Sequence, residues 1–516
     1  MFRHHRVTAP ASLIPDRKDW RGQFIIGAAQ AAPEHFTTIR LSRIAVHLHE
    51  GCSFLRLRCR EDTAGLIIGT PIDYAQETVV QTDLDITSYG QLTPAAFEAA
   101  LERYIYSFAG TFICIISYRG LNRVYLDANG TKSLVYMPDR KLAASTTGLL
   151  LNDRDYSDRF DRDLYRRLHV RRDGWFPSGL TGHRGVHRLL CNHYLDLDRW
   201  APVRHWPRGE LSRTDDVRGH AVAIASIVER VARAVLSSGP AVCALTAGHE
   251  TRFLLAACRS LADKLDFATV DAPARQIDTV RARQIARRFG LAHAVLPYRR
   301  ATTEQAVHWT YMAGHCIGGD NLYLHPSVAP LGRYDFFLGG LGGEIGRGFF
   351  WRRRDDTDKE LLAADLAARF GMPLHSTVVA TTEDWLEDTR SLSRLLRLDL
   401  AYLELRMSAR AFAQAYASYQ PVVEVHPMIC REAYQLMLEL PPSEKLTNAF
   451  IGEGVGALWP ELLELPINRY GDYRDLLATC RKYTDLGRVS RKLRKMYGQR
   501  FARPSIARRH RNGWDL

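Results

Sequence analysis

The sequence predicts two units of different fold class: an α+β unit built on antiparallel sheet over residues 1–207, then an α/β unit with a parallel sheet over residues 208–516. Three observations lead there. The chain has 516 residues, 46% of them hydrophobic, which is more than one core usually organises. Short β-like runs separated by turn residues fill roughly the first 200 residues, the pattern of antiparallel sheet. After "HWPRGELSR" (205–213) strands alternate with helices, which indicates a parallel sheet covered on both faces.

Taken in order, the strands of the first unit are "FLRLRC" (54–59), "GTFICIISY" (110–118), "RVYLDA" (123–128) and "SLVYMP" (133–138), with a helix at 94–108 and a turn at Asn129-Gly130. The second unit opens on an amphipathic helix with Val217, Ala221, Ile224, Val228, Val231 and Val235 at helical spacing, stopped by Ser238-Gly239-Pro240. An apolar strand follows, then a small-residue kink and a helix from about Thr251. The pattern repeats: strand "FATV" (267–270), helix 276–289 stopped by Gly290, and strand "HAVLP" (293–297). Beyond about 355 the chain reads as largely helical, with a long stretch at 391–417.

No stretch approaches the ~20 apolar residues of a membrane span, and "MFRHHRVTAPASLIPDRKDW" lacks a signal peptide's apolar run. The expectation is a cytoplasmic protein with no membrane partner. Nine scattered cysteines without a C-x-x-C pair read as reduced core thiols. The net charge of +13 is concentrated in "RKYTDLGRVSRKLRKMYGQRFARPSIARRHRNGW". A basic run can meet nucleic acid, but no aromatic interleaving accompanies it, so a solvated tail is the expected reading.

In a parallel sheet, ligands gather at the carboxyl ends of strands, where helix N-termini offer free N–H groups to anions. "LTAGHETR" (245–252) occupies such an end: Ala247 and Gly248 keep the backbone approachable, Thr246 and Thr251 add hydroxyls, and Arg252 brings a cation to the first turn. That cation opposes the helix dipole unless an anion lies between them. "HETRF" lacks the second His of a zinc-protease helix, and no Gly-Lys-Ser/Thr follows as in a P-loop. A tight turn with no ligand explains this loop alone equally well. A second segment, "YDFFLGGLGGEIGRGFFW" (334–351), breaks the tie, since it again feeds a strand into a flexible loop holding one carboxylate, Glu344. If their two strand ends are neighbours, Glu250 and Glu344 suit a magnesium ion that takes its other ligands from phosphate and water.

These segments resemble the asparagine-synthetase-like ATP pyrophosphatases, a family that includes β-lactam synthetases and lasso-peptide cyclases. Their S-G-G-x-D-S loop falls on residues 246–251 and their G-x-G-G-D-E loop on residues 340–345. Both metal-binding aspartates thus become glutamates, while Ala247 and Ile345 depart from the pattern. "QIDTVRARQIARRFGLAHAVL" is similar to a further family segment, with Asp278 at its acidic position, and "VVEVHPMICREAYQLMLELPP" places Glu424 where members carry a catalytic carboxylate. A carboxylate bonded to helix ends is the structural alternative for Glu424. The family's late catalytic lysine has no counterpart in "LPINRYGDY" (465–473), which offers Arg469, while Lys445 and Lys482 stand unassigned nearby. In the first unit, "YLDANGTKSLVY" and "GLTGHRGVHRLLCNHYLDLD" resemble the family's Ntn-type glutamine amidotransferase domain, but Met1-Phe2 replaces the nucleophilic cysteine, so a domain without glutaminase activity is expected. His47, His49, His183 and His187 read as strand residues and not as a metal site.

The resemblance implies an ATP pyrophosphatase-type ligase that joins a small-molecule or peptide carboxylate to an amine through an acyl-adenylate. ATP and Mg2+ would be held by Thr246, Ala247, Gly248, Glu250, Thr251, Asp278, Gly342, Gly343 and Glu344, with Glu424 and Arg252 catalytic. It leaves room for partner enzymes of a biosynthetic pathway and for a homo-oligomer. The alternatives are a non-catalytic nucleotide-binding scaffold, which Ala247, Ile345 and the absent lysine favour, and a nucleic-acid-modifying pyrophosphatase.

Overall fold

The computed structural model describes residues 13–16, 18–27, 33–132, 134–172, 174–352, 355, 357, 359–409 and 422–476. Met1, Phe2, the basic tail with Cys480 and Lys482, and the end of the expected 391–417 helix lie outside the described residues.

The first unit is two sheets face to face. One has six antiparallel strands in the order His187–Arg188, Val135–Met137, Leu142–Ala144, Phe24–Gly27, Ile44–His49, Phe36–Leu41. The other has eight strands, with Ala109–Tyr118 and Asp62–Asp73 at its centre. Period-two alternation decides what each side chain does. Along Ala109–Tyr118, Ile113 and Ile115 enter the core between the sheets, while Phe112, Cys114 and Ile116 pack under the helix Pro94–Ile105 through Phe97, Leu101 and Ile105. That helix ends three residues earlier than the spacing predicts.

The antiparallel strands end with Ala201–Arg204, and the helix Val217–Ser238 opens the second unit, so a boundary near residue 208 falls in the connection between them. The core is nevertheless continuous, because Ile25, Val135, Met137 and Ala144 on the outer face of the six-stranded sheet join the cluster built on this helix. Ile224, Val228, Val231 and Val235 of the helix are fully buried, each contributing roughly 1.5–3 kcal/mol relative to exposure. Asp216 caps its start by accepting from the Gly219 N–H at 2.7 Å.

The second sheet has five parallel strands in the order His293–Leu296, Asp266–Val270, Ala241–Ala244, Phe336–Leu338, Val423–Val425. The first strand in sequence therefore lies at the centre, with the second and third on one side and the last two on the other. The order reverses between Ala241–Ala244 and Phe336–Leu338, and this switch point is where an open α/β sheet leaves a crevice. The helix Gln276–Phe289 has the predicted bounds, closed by Gly290 in the left-handed region at φ +68°. Within the expected helical stretch at 391–417 the described residues are helical from Arg394, first as Arg394–Leu400 and then widening into a π-turn over Ala401–Met407.

Candidate functional site at the strand ends

Register aligns three loops. Cys243 pairs with Leu338 and Leu338 with Val425, so the chain leaves the sheet at the same level after residues 244, 338 and 425. The first exit turns at Gly248 into the helix His249–Ala257, two residues earlier than the expected start. Helix geometry leaves the first-turn N–H groups without intrahelical partners.

The second exit lies directly on that first turn. A methyl group on Gly340 would sit 3.0 Å from Glu250 Cβ and 3.1 Å from the Thr251 nitrogen, and one on Gly343 would sit 2.9 Å from Glu250 Cγ. Glycine is thus needed here for close approach and not only for flexibility. Gly342 itself stands at φ +109°. Its N–H donates to Glu344 Oε2 at 3.0 Å, which turns that carboxylate back over the loop. Glu250 and Glu344 thus lie at adjoining strand ends. Burial pushes the Glu344 carboxyl up to about 7, and the Glu250 charge adds to the rise.

Arg347 completes the pair. Its Nη2 lies 2.7 Å from Glu250 Oε1, yet that oxygen and Arg347 Nε are buried without hydrogen-bond partners, so the contact is one of charge without alignment. His249 Nδ1 is likewise buried and unpartnered. Two mutually repelling carboxylates with an unbonded oxygen suit one hard divalent cation that completes its shell from phosphate and water. Among the described residues no group of three or more His, Cys, Asp or Glu side chains could hold a metal alone.

The other predicted residues take definite places. Gly248 N–H donates to Thr246 Oγ1 at 3.1 Å, and the Thr246 and Thr251 hydroxyls are 2.6 Å apart. Asp278 does reach this loop, where its Oδ1 accepts from the Ala247 N–H at 3.0 Å. Two loop donors are therefore already engaged, and the first-turn amides of residues 249–251 are the ones left to an anion. Glu424 lies on the last strand, opposite Phe337. Burial alone pushes its carboxyl up to about 7. His426, two residues on and so on the same face, has Nε2 3.9 Å from Glu424 Oε2 and is held neutral by burial, its pKa down to about 4.

Arg252 is not where the sequence argument puts it. Its side chain is wholly buried, and Nη1 donates to the carbonyls of Leu462 at 2.6 Å and Leu465 at 3.0 Å. Burial, with Arg281 next, lowers its pKa to about 10. In this arrangement it braces the segment beneath the loop instead of meeting a ligand. The same segment is tied twice more, by the Asn468 N–H to the Ala247 carbonyl at 2.8 Å and by Arg281 Nη2 to the Arg469 and Tyr470 carbonyls at 2.7 and 3.1 Å. "LPINRYGDY" therefore lies across the first loop, with Arg469 exposed on it. Lys445 is fully buried against Asp399, Nζ to Oδ2 2.6 Å, and is structural.

Arg347 and His426 are the residues the sequence argument missed. Both had a signal: Arg347 stands three residues after Glu344, and His426 follows Glu424 at strand period. No helix among the described residues is long and apolar enough to cross a membrane. Comparison with protein-family models and with curated proteins finds no match for this chain.

Proposed function

We propose that the chain is an AMP-forming ligase that activates a carboxylate with Mg-ATP and passes the acyl group to an amine. The observation that carries this reading is the placement of two loop carboxylates, Glu250 and Glu344, at adjoining strand ends of the switch point, over a helix N-terminus. Magnesium held by Glu250 and Glu344 would offset the charge of the triphosphate. The amides of residues 249–251 and the guanidinium of Arg347 would hold the β,γ unit, leaving the α-phosphorus open to the substrate carboxylate. Charge grows on the departing pyrophosphate, and preorganised donors act most strongly on charge that develops in the transition state. Arg469 is the cation of the late loop that can face the same charge. Glu424, with a pKa near neutrality and His426 beside it, suits the removal of a proton from the attacking amine.

A second reading, a nucleotide-binding scaffold without turnover, is favoured by one observation: the Ala247 N–H is taken by Asp278, and so is closed to phosphate. Product analysis separates the two. Incubation of the chain with ATP, magnesium and a panel of carboxylates and amines should give AMP and pyrophosphate. ADP and phosphate would reject the mechanism, and ATP binding with no turnover on any substrate would select the scaffold.

A further inference from the structure

Away from the strand ends, the start of the helix Arg394–Leu400 and residues 359–360 enclose a cavity of about 560 Å3. Among the described residues five cations line it, Arg213, Lys359, Arg390, Arg394 and Arg397, against a single lining carboxylate, Glu360. The neighbouring acids among the described residues do not make up the difference. Glu210 is spent on Ser393, accepting from its N–H at 2.8 Å and its hydroxyl at 2.6 Å. Asp355 is paired with Arg369, and Arg394 Nη2 reaches it only at 3.4 Å. Glu387 stands 3.4 Å from Arg390, with both side chains about three-quarters exposed at 72% and 76%. Such an exposed pair contributes little.

The floor is the informative part. Arg397 is buried, and among the described residues its guanidinium hydrogen-bonds neutral oxygens, Thr389 Oγ1 at 3.3 Å and the Leu386 carbonyl at 2.8 Å, with the Glu360 and Glu387 charges acting on it without a hydrogen bond. Arg394, one turn earlier on the same helix face, donates through Nη1 to the carbonyls of Lys359 and Glu360 at 3.0 and 2.8 Å, and its Nε is buried without a partner. Two like charges side by side, partly desolvated and short of carboxylates, cost the fold stability. That cost is offset when an anion enters.

We propose that this cavity is an anion site for a compact ligand carrying two or more phosphate groups. The planar forks of Arg394 and Arg397 match phosphate oxygens in pairs, and the exposed Arg213, Lys359 and Arg390 supply charge at the mouth. Among the described residues no aromatic side chain lines the cavity, so the phosphates and not a stacked ring provide the affinity. The site shares no residue with the strand-end loops and does not depend on the ligase reading.

The probe is inorganic pyrophosphate, titrated calorimetrically into the full chain with a chelator present to remove divalent metal. Binding should weaken at least tenfold in the Lys359→Glu/Arg390→Glu double variant and stay unchanged in Glu250→Gln/Glu344→Gln. Both reversed side chains are exposed, so thermal unfolding of the double variant should match the wild type and a folding defect is separable. Competition by a sugar bisphosphate as well as by pyrophosphate would assign the ligand to phosphate esters, and competition by pyrophosphate alone to inorganic phosphates; both support the site. Unchanged affinity in the reversed variant would overturn it, as would loss of binding in the strand-end variant. Displacement of pyrophosphate by polyglutamate of equal charge would also overturn it, assigning the cavity to acidic peptides.

Discussion

Two glutamates in the second unit have opposite surroundings. Glu404, in the π-turn, is fully buried and saturated: Arg204 donates to both oxygens at 2.9 and 2.7 Å, Asn192 Nδ2 to Oε1 at 2.9 Å, and Trp385 Nε1 to Oε2 at 2.7 Å. Burial opposes its charge, but the Arg204 charge and these bonds outweigh burial and hold its carboxyl below the usual range. Glu344 is half-buried, its neighbours are backbone N–H groups, a second carboxylate and the Arg347 charge, and burial with the Glu250 charge raises its pKa to about 7. The first arrangement is complete as it stands, and under the proposed function the second is completed by a cation. A satisfied buried charge marks architecture, and an unsatisfied one marks a site.

The largest expected effect breaks the satisfied case. Glu404→Ala leaves Trp385 Nε1 buried without its acceptor and Arg204 with Asp388 as its remaining carboxylate, and it removes the link between the strand Ala201–Arg204 and the π-turn. Loss of one partner from a buried ion pair costs about 3–5 kcal/mol, so denaturant unfolding should show a change of that size. Glu344→Gln, by contrast, should leave stability within about 1 kcal/mol of the wild type or raise it, since it removes repulsion from Glu250. A destabilisation by Glu344→Gln as large as that of Glu404→Ala would erase the distinction drawn between them.

The next effect is on ligand binding. Under the proposed function, Glu344→Gln and Glu250→Gln should each weaken magnesium-dependent ATP binding at least tenfold, about 1.4 kcal/mol, while Glu404→Gln, if folded, should not. Calorimetric titration with and without magnesium makes the test, and equal affinity in all three variants would reduce the two loops to turns.

Why half of this contrast was readable in the sequence follows from where the partners sit. The loops announce themselves locally, because small residues and one carboxylate must follow a strand directly if they are to form a strand-end site. The helix Gln276–Phe289 was equally legible, with its apolar face and Gly290 cap contained in one window. Glu404 is different: its ligands come from residues 192, 204 and 385, contacts far apart in sequence that no period or spacing encodes. Arg252 was misplaced for a related reason. Its position in the first turn was read correctly, but the carbonyls that capture it come from 210 and 213 residues further on.

A pH series sharpens the comparison through its sign. Glu344 and Glu424 have folded pKa values of about 7, above an unfolded value near 4.3. The folded state therefore holds more protons in that window, and stability falls as pH rises from about 4.5 to 7, by up to about 1.4 kcal/mol per unit for each carboxyl. Asp388, held by His193 and Arg204 against burial and lowered to about 2, behaves oppositely: its stabilisation is present above the unfolded value and lost as pH falls toward 2. The difference between wild type and Glu344→Gln should thus grow from pH 5 to 7 and then level. A difference that is flat with pH would mean Glu344 titrates as an ordinary carboxylate.

The smallest expected effect concerns Arg347, whose charge stands 2.7 Å from Glu250 and also draws the Glu344 pKa down. Arg347→Ala removes the cation that faces the two carboxylates, so the pH at which the Glu344 difference levels should move upward, with a stability loss at pH 8 smaller than that of Glu404→Ala. The same vacancy should make magnesium alone stabilise the variant more than the wild type, because a divalent ion then replaces a cation the protein has lost instead of competing with it. Thermal unfolding at pH 8 with and without magnesium, compared with calcium as a larger ion of the same charge, reads this directly. If the variant gains nothing from magnesium and its pH profile overlays the wild type, Arg347 is only a structural neighbour of Glu250, and the cation-shaped gap between the two loops is not there.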